Sequence, residues 1–93
     1  MTPPSTRSTI EYRLRERLAP SHLEVVDESP MHAGHAGAVQ GGGHFSVTVV
    51  SGAFEGLGRV ERHRLVYDIL RDLMPDAIHA LALKTMAPPE WPS

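Results

Sequence analysis

The 93-residue chain carries six histidines and no cysteine. It cannot build an all-thiolate metal or cluster site by itself, so soft-metal chemistry would need its imidazoles together with thiolates from elsewhere. His32 and His35 stand at i, i+3 in Met31-His32-Ala33-Gly34-His35, a spacing that also suits zinc. No carboxylate or cysteine is fixed beside them, so the pair alone is a weak ligand set, and its other reading is a solvated loop. His79 falls within the alternating run from Ile78 to Thr85, where a lone histidine reads as a core or edge residue. His44 opens a second alternating run and reads as a polar residue closing a hairpin.

A different chemistry is available to Arg59, Arg62, His63, Arg64 and Arg71, which put positive charge on one segment and could contact phosphate. Glu55, Glu61, Asp68 and Asp72 offer those arginines partners at helical spacing. Gly56-Leu57-Gly58 is not the Gly-x-x-Gly pattern that clamps a nucleic-acid backbone. The sequence has no nucleophile elbow, phosphate-cradling glycine loop or paired carboxylates, so it does not read as an enzyme. Gly41-Gly42-Gly43 leads into a strand, without the helix N-terminus that would hold an anion.

These residues need a scaffold, and the length allows one domain with one core. Residues 1–8 are rich in Pro, Ser and Thr and are expected to be disordered, with an ordered domain over 9–91. Ser8-Thr9-Ile10-Glu11 reads as a capping box with Ser8 as N-cap, and Ile10, Leu14 and Leu18 give the following helix its apolar stripe up to Pro20. Residues 23–27 read as a strand. The Gly/Pro-rich stretch from Glu28 to Gly43 reads as a long loop, the most mobile internal segment. Residues 44–51 alternate, with Phe45, Val47 and Val49 on one face and Ser46 and Thr48 on the other. A turn or short helix at residues 54–58 precedes a helix over about Arg59 to Leu73. A third strand over 78–85 then places His79, Leu81 and Leu83 on one face. A helical crossover makes this strand parallel to an earlier one. The tail from Ala87 starts a further helical turn that folds Trp91 back onto the domain. A net charge of −2 gives no general attraction to nucleic acid or an anionic membrane. No apolar run is long enough to span a bilayer, no secretory leader is visible at the N-terminus, and the lack of cysteine suits a reducing cytoplasm.

Four segments in register are similar to the BolA family. Phe54-x-Gly56 is followed by Arg62-His63-Arg64 and Val66-Tyr67. The others are residues 23–29 with the His/Gly loop, His44-Phe45 leading to Val49-Val50-Ser51, and Ile78-His79-Ala80-Leu81 followed by Pro89-Glu90-Trp91. The resemblance spans about Ile10 to Trp91. It implies an α/β (α+β) fold of class II KH-like type, αββααβ, with a mixed three-stranded sheet and helices on one face. It also implies a non-enzymatic adaptor that pairs with a monothiol glutaredoxin around a shared [2Fe–2S] cluster, in iron–sulfur trafficking or iron regulation. The glutaredoxin cysteine and glutathione would supply thiolates, and the metal ligands here would be His79 with His32, or with His35 as the loop alternative. Some members are described as transcription regulators, so the alternative is a DNA-binding regulator using the Arg59–Arg71 helix through Arg59, Arg62, His63 and Arg64, with DNA bound weakly. A dimeric interaction module without metal is the third reading, a homodimer being an option for the free chain.

Overall fold

The computed structural model describes residues 5–28, 43–74 and 76–91. Chain order is helix α1 (Thr6–Leu18), strands β1 (His22–Asp27) and β2 (Gly43–Val50), helix α2 (Arg59–Leu70) and strand β3 (Ile78–Met86). Single 3-10 turns occupy Gly52–Phe54, Arg71–Leu73 and Pro88–Glu90. The element expected between β2 and α2 is thus one 3-10 turn, and α2 tightens to 3-10 geometry over its last three expected residues. The sheet order is β1-β2-β3, with β1 antiparallel and β3 parallel to β2. The α+β class and the mixed sheet agree with the sequence, and the helical crossover accounts for the parallel pair. The long loop expected over 28–43 lies largely outside the described residues, although Gly43 already belongs to β2.

The start of α1 differs from expectation. Its cap is Ser5, whose hydroxyl accepts from the Ser8 amide at 3.1 Å, while the Thr9 amide donates to the Ser5 carbonyl at 3.0 Å. Ser8 is inside the first turn, because a serine three residues upstream offers the same acceptor and adds helical hydrogen bonds. Thr6, Arg7 and Ser8, expected to be irregular, are therefore helical, and residues 1–4 lie outside the described part. The other end stops at Ala19, held left-handed at φ 43° while its amide bonds the Arg15 carbonyl.

One apolar face of the sheet meets both helices. Val25, Phe45, Val47 and Val49 from the sheet pack with Ile10, Leu14 and Leu18 of α1 and Val66, Ile69 and Leu70 of α2. Phe54 is fully buried in the same core, and Gly56, two residues on, turns the chain at φ 82°, which explains the Phe-x-Gly spacing. Ser51 is the one polar side chain among the buried described residues. Its hydroxyl donates to the Leu18 carbonyl at 2.6 Å and accepts from the Ala53 amide at 3.1 Å. Its own amide donates to the Met86 carbonyl at 3.0 Å.

Two stability changes follow. Ser51→Ala leaves a buried carbonyl and amide unpaired and should lower unfolding free energy by about 1–3 kcal/mol in urea titrations. Ala19→Gly removes a left-handed alanine and should raise it by about 0.5–1 kcal/mol, net of the added freedom of the unfolded chain.

Candidate functional site

Parallel pairing brings like ends of neighbouring strands together. His44 is the second residue of β2 and His79 the second residue of β3. Their rings stack with centroids 5.6 Å apart and planes inclined by 26°. Register explains the approach: Gly43 pairs with Ile78 but His44 pairs with Ala80, so β3 has one extra residue there, His79. Such a bulge re-aims a side chain. It also corrects the face assignment, because Ile78 is buried while His79 is exposed, and only Leu81 and Leu83 pack against the core face. His44 is half-buried beside it and has further interactions of its own.

As a metal centre this arrangement is incomplete. It offers an exposed imidazole with a second one adjacent, and no group of three His, Cys, Asp or Glu side chains able to hold an ion exists among the described residues. Any further ligand would have to come from beyond the described residues. His32 and His35 lie outside the described residues, so the structure neither joins them to His79 nor separates them from it. His44 was read from sequence only as a hairpin residue. The signal that could have found it was topological, since parallel pairing sets the second residues of β2 and β3 at the same end of the sheet.

The cationic candidates divide. Arg62 is turned inward, its side chain only 12 % exposed, and forms an ion pair with Glu90 at 2.6 Å. Its Nε donates to the Leu57 carbonyl at 2.8 Å, and its guanidinium lies 6.0 Å from the Phe54 ring centre. Arg59, Arg62 and His63 line one polar groove with Lys84 and Glu90, whereas Arg64 lines a different, apolar groove. The four residues thus do not form one surface. The Arg62 bond, with a second from the Ala87 amide at 2.7 Å, holds the Glu90 carboxyl below its ordinary range. This ion pair fixes the Pro88–Glu90 turn, and Trp91 beyond it stacks on His22 with ring centres 4.5 Å apart. The tail folds back as the sequence implied. A further ion pair, Arg13 with Asp72, joins α1 to the turn after α2 and lowers the Asp72 carboxyl while raising the Arg13 guanidinium.

Comparison with known proteins agrees with this architecture. The family model described as BolA-like protein matches residues 14–90. The chain is 44 % identical over 85 residues to the DNA-binding transcriptional regulator BolA of Vibrio cholerae, covering 91 % of this chain and 77 % of that one. It is 42 % identical over 89 residues to the chloroplastic protein BOLA1 of Arabidopsis thaliana, covering 92 % of this chain and 56 % of that protein. The solved structure of BolA1 from Arabidopsis thaliana superposes with a TM-score of 0.84 at 37 % identity, over 98 % of this chain and all of that one.

The depressed Glu90 carboxyl sets a pH test. Its folded-state pKa is lowered, so its stabilisation is present above the ordinary glutamate range and is lost as pH falls through the lowered value. Glu90→Gln should be less stable than the parent at pH about 7 and approach it only as the pH falls below the lowered carboxyl range, where acid removes the parent's charge. Thermal melts across that range read the difference.

Proposed function

Since this chain belongs to the BolA family, we propose that it is a non-enzymatic adaptor that completes a [2Fe–2S] site with a monothiol glutaredoxin and glutathione. The observation that carries the reading is His79, an exposed imidazole placed by a strand bulge at the sheet edge of a chain without cysteine. Neutral imidazole is a good iron ligand, and histidine in place of thiolate raises a cluster's potential. The thiolates come from the glutaredoxin cysteine and glutathione, so the partner is a chemical requirement. When bound, the cluster supplies iron and one-electron chemistry, while this chain supplies the His79 ring and the strand that aims it. The second imidazole comes from His32, with His35 as the alternative, and His44 stacks on His79 and restrains its ring. The setting is a reducing cytoplasm, and the role is cluster trafficking or iron regulation.

The alternative, a DNA-binding regulator, has support in the name of the Vibrio cholerae relative. The inward turn of Arg62 and its pairing with Glu90 favour the adaptor, because they take one of the four cations out of reach of a phosphate.

Alone, the protein should purify colourless. Mixed with a monothiol glutaredoxin, glutathione and iron–sulfide, it should give a one-to-one complex whose visible absorption and circular dichroism differ from the glutaredoxin homodimer. His79→Ala should abolish that difference, and acid should dissolve the mixed centre as the imidazoles protonate. His32→Ala should have a smaller effect, with His32→Ala/His35→Ala larger than either alone. An unchanged spectrum and an intact complex with His79→Ala would defeat the ligand assignment.

A further inference from the structure

The outer surface of α2 carries a charge pattern that the adaptor reading does not use. Glu61, Arg64 and Asp68 of α2 and Arg71, which opens the 3-10 turn after it, line one open groove, and at 100° per residue they fall on one stripe. Relative to Val66, Glu61 lies five residues before and Arg71 five after, while Arg64 lies two before and Asp68 two after. Each acid thus has a base at the mirrored position. A second α2 laid antiparallel would set Glu61 against Arg71 and Arg64 against Asp68, twice over, whereas a parallel one would set like charge on like.

The surface between these charges is apolar. Leu57, Leu65, Tyr67 and Met74 line the same groove. Tyr67 is 39 % exposed, and Val60, one turn before Arg64 on α2, is 63 % exposed, both large apolar groups for a water-facing helix. The Asp68–Arg71 pair within one chain, at 3.6 Å, has both side chains more than half exposed and contributes little to the monomer, so it is available to re-pair. Alternating sign argues against a polyanion and against any partner of uniform charge. It matches its own reverse, which is the requirement for a two-fold interface.

We propose that this face of α2 is a self-association surface, occupied by a second copy of the chain docked antiparallel about a two-fold axis at the level of Val66. Sedimentation velocity on the free chain from about 10 μM to about 1 mM should show a monomer–dimer equilibrium that weakens with added salt. Arg64→Glu sets acid against Asp68 of the other copy and should raise the dimer dissociation constant at least tenfold. Asp68→Arg should do the same. The combined variant Arg64→Glu/Asp68→Arg restores opposite charges across the axis and should return to within about threefold of the parent. Both sites are exposed, and unchanged thermal midpoints would show that the fold is kept. His79→Ala should dimerise like the parent, which separates this surface from the metal-binding reading. A chain monomeric throughout the range, single variants without effect, a failed rescue, or loss of the dimer with His79→Ala would each overturn the proposal.

Discussion

Ser51 is the joint on which the fold closes. A buried hydroxyl is costly unless it is hydrogen-bonded, and this one is satisfied in both directions by the Leu18 carbonyl and the Ala53 amide. The residue therefore locks the end of α1 to the turn after β2, while its backbone amide reaches the end of β3. Those contacts converge at one end of the sheet. The opposite end, where β2 and β3 begin, is thereby left to carry exposed histidine.

The strands were legible because a half-buried sheet imposes a period of two, and Phe45, Val47 and Val49 keep it. The helices were legible from their apolar stripes. The starting cap was not, because Ser5 and Ser8 both offer a hydroxyl to the same turn, and local pattern cannot rank them. The bulge at His79 was also hidden. A period-two reading assumes unbroken register, and an extra residue shifts every assignment before it. His79 was singled out as a candidate only through the likeness of its surrounding residues to a family, and its pairing with His44 follows only once β2 and β3 are known to be parallel neighbours. Arg62 shows the harder limit. Its neighbours in sequence suggested a cationic surface, but its partner Glu90 lies 28 residues away and only the fold brings them together.

The result is a small domain whose two ends and outer helix differ in character. One end holds the structure through backbone hydrogen bonds and the Arg62–Glu90 pair. The other presents the stacked imidazoles of His44 and His79 where β2 and β3 begin. On α2, Val66, Ile69 and Leu70 face the core, while Glu61, Arg64 and Asp68 on the outward side alternate in charge.

The stack of Trp91 on His22 has an optical consequence. Trp91 is the chain's sole tryptophan, so its near-ultraviolet emission reports on the seam between the C-terminal turn and the first residue of β1. An imidazolium ring quenches indole more strongly than a neutral one, and release of the tail would separate the rings altogether. Fluorescence would therefore register fraying of this seam before the sheet melts, whereas far-ultraviolet dichroism would follow the helices and strands. Disagreement between the two traces would measure a local opening of the tail and should not be read as a populated folding intermediate.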